Sequence, residues 1–454
     1  MPNLFDANLL NKYNTSGPRY TSYPTALEFS SELPDNPLHH AMLTSAGSDL
    51  SLYIHIPFCH QLCYYCGCNK VVTRHQHKAD RYLDYLAKEI ALNHQWFSLQ
   101  QIKQCHLGGG TPSFLTPEQM TRLMALLRQH YRFADDCEIS IEIDPRSVEP
   151  TYLTTLKTLG FNRISIGVQD IEPEVQRAIN RLQSTEHVAQ LVRTAKDLSF
   201  DSVNLDLIYG LPHQSTDSFK RTIAAAIQME PERISLFSYA HLPERFAAQR
   251  KIKSDWLPVP AAKFELMKLA IEKLTSQGYS MIGMDHFAKP NDELALAQQR
   301  GCLHRNFQGY TTQGELDMLG LGVSSISFMG DWYLQNAKTL NDYYAALDAQ
   351  HLAIEKGVGI NNDDAIRRAV IMALMCNLRI DFAAIEQNYE IVFNEYFAKE
   401  LALLAPFVED ELVEIRADSI VVAEHARLLI RTICMVFDDY LGLAKNYQRF
   451  SRVI

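Results

Sequence analysis

Between residues 52 and 284 short apolar runs alternate with longer amphipathic stretches. LYIHI (52–56), QCHL (104–107), EISIEI (138–143), RISIGV (163–168), VNLDLI (203–208), RISLFS (233–238) and YSMIGM (279–284) read as strands, because each is brief and rich in β-branched or aromatic residues. The stretches between them, 79–94 and 117–131 among others, repeat apolar residues every three or four positions and read as helices. Strands that alternate with helices imply right-handed βαβ units and a parallel sheet. Their number suits a barrel or part of one.

The alternation inside those strands says what the sheet encloses. Ile139, Ile141 and Ile143 share one face, and Ser140, Glu142 and Asp144 the other; Ile164, Ile166 and Val168 oppose Ser165, Gly167 and Gln169; Val203, Leu205 and Leu207 oppose Asn204 and Asp206. A closed eight-stranded barrel fills its interior with bulky Val, Ile and Leu. A small, polar inward face predicts instead an α/β fold of the opened, partial TIM-type (β/α) barrel kind, with a wet cavity. Glu142, Gln169 and Asp206 then lie toward the carboxyl ends of strands, although each taken singly is equally well a rim residue satisfied by a turn. The run at 233–238 fits this parity less well. Residues 1–49, with PRYTSYP, read as an N-terminal arm, 50–345 as the catalytic barrel, and 346–454 as a mainly helical domain with helices at 363–378 and 382–405 and a hairpin in LVEIRADSIVV.

At 454 residues the chain is long enough for two domains. Lys plus Arg at 43 against Asp plus Glu at 53 gives a net charge of -10, which argues against a nucleic-acid partner. The first residues carry neither a basic start nor an apolar run, and no segment has the roughly 18 apolar residues of a membrane span. A cytoplasmic protein is expected, and in that reducing compartment clustered cysteines are metal ligands more often than disulfides. Nine cysteines are present, and FCHQLCYYCGC holds four of them: Cys59, Cys63, Cys66 and Cys68. Cys105, Cys137, Cys302, Cys376 and Cys434 are scattered and read as buried thiols.

Zinc sites draw two separated pairs of ligands, and no second Cys-x2-Cys follows here. The Cys-x3-Cys-x2-Cys of Cys59, Cys63 and Cys66 also differs from both ferredoxin spacings, each of which supplies four thiolates. Three thiolates on a four-iron cluster would leave one iron open to a small molecule. In this spacing, placed after the first strand of a partial barrel, the chain resembles the radical S-adenosylmethionine (SAM) enzymes. The resemblance implies one 4Fe-4S cluster on those three cysteines and SAM on the open iron, with an aromatic at Tyr65 against the adenine. GGGTPSF (108–114) follows a strand, and its glycines let backbone approach a ligand closely; alone it is a glycine turn, and with no Gly-Lys-Ser/Thr after it a P-loop is excluded. Behind the cysteine motif it matches the family's segment for the SAM amino group, and Glu142 in IEIDP matches the ribose acceptor.

Further stretches, among them PRYTSYPTA, YIHIPFC, CYYCGCN, VNLDLIYGLP, GMDHFA, HRNFQGYTT and GLGVSSIS, resemble one branch of these enzymes over nearly the whole chain. That branch decarboxylates propionate side chains of a tetrapyrrole, so the resemblance implies a tetrapyrrole substrate, an electron donor for the cluster and a final electron acceptor. It also implies two SAM molecules, with Tyr53, Tyr65, Gly109, Glu142 and Ile326 near the first and Gly110, Thr111, Gln169, Arg181, Asp206 and Ala240 near the second. Cys68 is expected beside the cavity as a catalytic residue and not as a fourth ligand. The arm around Arg19 and the segment 300–305 are expected to offer cations to substrate carboxylates, and a monomer is expected. The competing reading within the family is a haem carrier; the one outside it is a zinc-stabilised βα protein.

Overall fold

The computed structural model describes residues 4–45, 47 and 49–443. It divides into two compact units. One comprises Phe29–Tyr279 with Glu315–Gly359, and the other the described parts of Met1–Glu28, Ser280–Gly314 and Ile360–Ile454. The boundaries expected at 49 and 345 do not coincide with this division.

In the first unit six parallel strands, Leu50–Ile56, Gln101–Gly109, Arg132–Ile143, Arg163–Gln169, Ser202–Tyr209 and Arg233–Ser238, stand side by side in chain order. Helices His77–Asn93, Pro117–His130, Pro150–Thr158, Thr185–Asp197 and Thr216–Gln228 connect them. A seventh parallel strand, Asp317–Leu321, returns beside the first, and Ile326–Met329, Trp332–Asn336 and Ile354–Gly359 extend the sheet antiparallel. Parallel strands in chain order without reversal are how a (β/α) barrel winds, and here the winding is partial, as expected. The helices start where their sequences say they should. Pro117 opens one behind Thr116, whose hydroxyl accepts the Gln119 amide (3.2 Å) while the Gln119 side chain accepts the Thr116 amide (3.1 Å). Such a capping box stabilises a helix by about 1 kcal/mol.

The inward face is polar and its groups are bonded in rows across the strands. Ser51 donates to Gln104 Oε1 (2.9 Å) and Gln104 Nε2 to Glu138 Oε1 (3.1 Å). One layer up, register sets Tyr53, His106 and Ser140 side by side. Ser165 and Asn204 bond at 2.9 Å, and Ser235 donates to Asn204 Oδ1 at 3.1 Å. Rows of hydrogen-bonded side chains thus stand where a closed barrel has aliphatic layers. On the other face Ile139, Ile141, Ile143, Ile164, Ile166, Val203, Leu205 and Leu207 are buried. The parity at 233–238 blurs because Phe237, inward by position, packs on the apolar group of Val175, Ile208 and Leu211.

Three expectations change. The run at 279–284 forms Ser280–Gly283, paired antiparallel with His286–Ala288 in the second unit, and is not a parallel barrel strand. The single helix expected at 382–405 is four short ones, Phe382–Tyr389, Phe393–Tyr396, Ala398–Leu403 and Ala405–Glu409; the first stops at Glu390, whose φ of 54° is left-handed. Cys302 is exposed, whereas Cys105, Cys137, Cys376 and Cys434 are buried. The hairpin is present as Val413–Ile415 and Ser419–Val422, joined by Arg379–Asp381. Among the described residues no helix is long and apolar enough to cross a membrane.

Candidate active site

The cysteine loop leaves the first strand at Pro57, and Phe58–Cys59 pairs with Val71–Val72 in a short parallel ladder. Its backbone is bonded on several sides. Val71 N donates to Pro57 O (2.7 Å), Thr73 N to Cys59 O (2.9 Å), Tyr64 N to Ile179 O (3.0 Å), Asn180 Nδ2 to Leu62 O (2.8 Å) and Gln249 Nε2 to Tyr65 O (2.9 Å). Lys70 Nζ donates to the carbonyls of Cys66 (2.9 Å) and Cys68 (3.3 Å). Cys59 and Cys63 are buried, Cys66 is partly buried and Cys68 is exposed. The thiols have distinct surroundings. Cys59 Sγ lies 3.3 Å from Thr111 Oγ1, and burial pushes its thiol up to about 11. A hydrogen bond with the Cys68 thiol and the charge of Lys70 bring Cys66 down to about 6 despite burial. Cys63 Sγ accepts from two guanidiniums, Arg146 Nη2 at 3.3 Å and Arg181 Nη1 at 3.4 Å.

The glycine loop packs against this loop through bare backbone. Gly110 N donates to Ile56 O (2.9 Å), and a Cβ at Gly110 would stand 2.4 Å from Pro57 O. Gly109 has φ +114°, and a Cβ there would meet the His55 ring at 2.6 Å. Neither position tolerates a side chain. A Cβ at Gly108 would touch His106, Tyr53 and Glu142 at 3.1–3.2 Å, so these three converge above the loop. Tyr53 OH lies 3.2 Å from His55 Nδ1, and His55 Nε2 3.1 Å from Asn69 O. Burial lowers the His55 pKa, so the neutral ring donates from Nε2 to the carbonyl and accepts from Tyr53 at Nδ1. The His106 ring stacks on Tyr53 with centroids 6.0 Å apart, its Nδ1 2.7 Å from Ser140 Oγ and its Nε2 3.7 Å from Glu142 Oε1. Glu142 keeps 45% of its side chain open, as an acceptor for a ligand must. Ile326 closes the group: its carbonyl lies over Gly320, which pairs with Tyr53.

Glu142→Ala is expected to weaken SAM binding about ten- to a hundredfold, the loss of one charge-assisted hydrogen bond at about 1.5–3 kcal/mol. Iron content should stay at the parent level, because Glu142 stands beside His106 and Gly108 and makes no hydrogen bond to Cys59, Cys63 or Cys66. Calorimetric titration of the reconstituted variant checks both, and an unchanged SAM affinity removes Glu142 from the role.

The second group forms around Arg181. Its Nη2 donates to Gly167 O (2.6 Å), and a Cβ at Gly167 would stand 2.8 Å from both Arg181 Nη2 and Gln169 Nε2. Gln169 is buried with φ 66°, a left-handed conformation at a strand end that is strained for a residue with a Cβ. Arg181 is buried and its Nε makes no hydrogen bond in the structure, so one donor is left for a ligand. Asp206 accepts from Ser165 Oγ (3.0 Å) and Asn204 Nδ2 (2.8 Å); burial, then the charge of Glu142, raise it to about 7. Gln249 Nε2 ties the Ala240 carbonyl (3.2 Å) to that of Tyr65. The ring of Tyr65 packs on Val175, Ile179 and Tyr239, and burial raises its phenol well above the ordinary range.

Because the Asp206 carboxyl holds its proton below about pH 7, a ligand that needs the carboxylate binds more tightly as pH rises through that value. SAM affinity measured from pH 6 to pH 8 is expected to rise severalfold, and Asp206→Asn to flatten the profile. A parallel profile in the variant assigns the dependence to another group.

The structure brings the expected cluster and SAM residues into one unit and places Arg19 and the segment 300–305 in the other; it adds three residues that the sequence did not single out, His55, His106 and Arg146, and gives Asp144, inward by its parity, two arginine partners. The two histidines share the inward parity of Tyr53 and Ser140, a signal that was present. Arg146 directly follows IEIDP, but nothing local shows that it and Asp144 meet Cys63 and Arg181.

Comparison with known families decides what this geometry belongs to. Residues 53–226 match the radical SAM superfamily and residues 360–429 the HemN C-terminal domain. Oxygen-independent coproporphyrinogen III oxidase of Salmonella typhimurium is 53% identical over 450 residues, covering 99% of this chain and 98% of the relative; that of Escherichia coli K12 is 52% identical over the same coverage. The solved structure of the E. coli protein, described as a radical SAM enzyme, superimposes with a TM-score of 0.92 at 51% identity, covering 95% of this chain and 98% of that one. The chain belongs to the oxygen-independent coproporphyrinogen III oxidases.

As a member of that family it is a radical SAM oxidoreductase, and the family implies a 4Fe-4S cluster and SAM. The residues present fit both. Thiols from a single loop, one of them flanked by two guanidiniums, suit an anionic cluster; an open carboxylate at Glu142 and a spare buried donor at Arg181 suit a ligand that carries hydroxyls, an amino group and a carboxylate.

Proposed function

We propose that this chain converts coproporphyrinogen III to protoporphyrinogen IX by anaerobic oxidative decarboxylation of two propionates to vinyl groups. The observation that carries the reading is the convergence, in one unit, of the cysteine loop, the Tyr53–Glu142 group and the Arg181–Asp206 group, on a chain that matches oxidases over almost its whole length. When bound, the cluster and SAM supply a 5'-deoxyadenosyl radical that takes a hydrogen from a propionate β-carbon, after which carbon dioxide and one electron leave. Cys59, Cys63 and Cys66 hold the cluster. Tyr53, Tyr65, Gly109, Glu142 and Ile326 position a first SAM, and Gly110, Thr111, Gln169, Arg181, Asp206 and Ala240 a second. Cys68 stands beside the cavity and takes part in hydrogen or electron transfer. An electron donor reduces the cluster and an acceptor removes the electrons that the substrate releases.

The four carboxylates of the substrate need cations. Arg19 is already committed to Asp285, whose carboxyl it holds far below the ordinary range against the effect of burial. Arg305 is the better candidate: it is buried, lies 4.6 Å over the Tyr310 ring, and its Nε and Nη1 make no hydrogen bond in the structure. A buried guanidinium with spare donors suits a carboxylate. Arg305→Gln should raise KM for the porphyrinogen at least tenfold with iron content and SAM affinity unchanged; an unaltered KM frees Arg305 from the role.

The haem-carrier reading is not favoured, because the full-length relatives are named as oxidases and the chain keeps both Cys68 and the PRYTSYP arm. Anaerobic incubation with coproporphyrinogen III, SAM and a reductant, with carbon dioxide, 5'-deoxyadenosine and porphyrin products measured, tests the proposal. Cleavage of SAM without carbon dioxide release would overturn it.

A further inference from the structure

The Cys63 thiol stands in a charged enclosure that none of the roles above explains. Arg146 Nη2 reaches its Sγ at 3.3 Å and Arg181 Nη1 at 3.4 Å. Asp144 holds both guanidiniums: its Oδ2 accepts from Arg146 Nη2 at 2.6 Å and from Arg181 Nη1 at 3.4 Å, and its Oδ1 accepts from Arg146 Nε at 2.9 Å. The remaining arm of Arg146, Nη1, donates to Gln61 Oε1 (3.2 Å) and Asn180 O (3.3 Å), so the fork cannot swing away from the sulfur. Only 10% of the Arg146 side chain and 6% of that of Arg181 is exposed, and the charges act through little water. Burial alone would raise the Asp144 carboxyl, but the charge of Arg181 and the bonds from Arg146 bring it to about 2; it is ionised at any working pH. Two cations against one anion leave the enclosure positive on the side of the sulfur.

We propose that Arg146, oriented by Asp144, is a positioning residue that donates a charge-assisted N–H···S bond to Cys63 and, together with Arg181, raises the reduction potential of the cluster. Reduction adds one electron to a centre that thiolates already make anionic, and a fixed positive charge with N–H bonds on a ligand sulfur stabilises the reduced form more than the oxidised one. Arg146 thereby makes the cluster easier for a one-electron donor to reduce. This inference rests on Cys63 being a cluster ligand.

The test is an anaerobic redox titration of the reconstituted protein followed by the electron paramagnetic resonance signal of the reduced cluster, with dithionite as reductant and viologen mediators. At a fixed potential the ratio of reduced to oxidised cluster is expected to fall about tenfold in Arg146→Gln, which is about 59 mV for one electron. Arg146→Lys, which keeps the charge and loses the fork, should fall about threefold. Iron and sulfide per chain should match the parent in both, which a purely structural role would not predict together with a shifted ratio. A parent-like ratio in loaded Arg146→Gln overturns the inference. If that variant does not retain its cluster, Arg146→Lys decides, and a parent-like ratio there overturns it equally. Cys63→Ala separates the two levels: retained iron would remove the ligand assignment itself, whereas lost iron with parent-like ratios in the Arg146 variants removes only the tuning role.

Discussion

Cys59→Ala, Cys63→Ala and Cys66→Ala are each expected to lose most of their iron and sulfide, at least tenfold against the parent protein, and SAM cleavage with them. The three thiols come from one loop whose backbone is bonded on several sides; Cys59 and Cys63 have no other thiol beside them in sequence, and Cys68, two residues beyond Cys66, is the one thiol placed to compete for that position. Each must act as a thiolate, and their surroundings prepare them unequally. Cys66 is already near ionisation beside Cys68 and Lys70, while Cys59 is held as a thiol by burial and must release its proton when iron binds. Cys59→Ala has no thiol to ionise at that position, so its reconstitution should fail at every pH and not recover as pH rises. Iron and sulfide analysis after anaerobic reconstitution is the measurement. Near-parent iron in any one of the three would show that the cluster is held otherwise.

Cys68→Ser is expected to keep iron and sulfide at the parent level and to lose decarboxylation by an order of magnitude or more. Cys68 lies two residues beyond Cys66, and each thiol shifts the other's ionisation, so a fourth thiolate is within reach of the cluster. A cluster held by four thiolates has no iron free for SAM. The converged groups around Glu142 and Arg181 suit a ligand on an open iron, and the expectation of three ligands rests on them. Serine keeps the size and a hydrogen bond but cannot give up a hydrogen atom or an electron as a thiol does. Loss of the cluster in Cys68→Ser would make it a ligand, and unchanged turnover would leave it a packing role.

How much of this was legible depended on where the information lies. The polar inward face was readable because half-buried strands alternate, and Ile139, Ile141 and Ile143 announce their parity. Asp317–Leu321 was not, because all five of its residues are buried and a strand covered on both faces shows no alternation. The break at Glu390 was hidden because nothing in the apolar spacing of 382–405 marks a left-handed residue. In the site, the cysteine spacing is local and was plain. The enclosure of Cys63 is not local: Arg146 is 83 residues away along the chain and Arg181 118, one just past the strand that ends at Ile143 and the other in the loop after helix Pro173–Ala178.

The bonds that pin the cysteine loop all run between protein groups, from Asn180, Gln249, Tyr64, Val71 and Thr73. The loop's shape is therefore a property of the polypeptide, in contrast to a zinc finger, where the metal does the folding. A loop held by so many bonds of its own is expected to keep its shape when iron and sulfide are removed. Refilling by anaerobic iron and sulfide is therefore expected to proceed without a denaturation and refolding step.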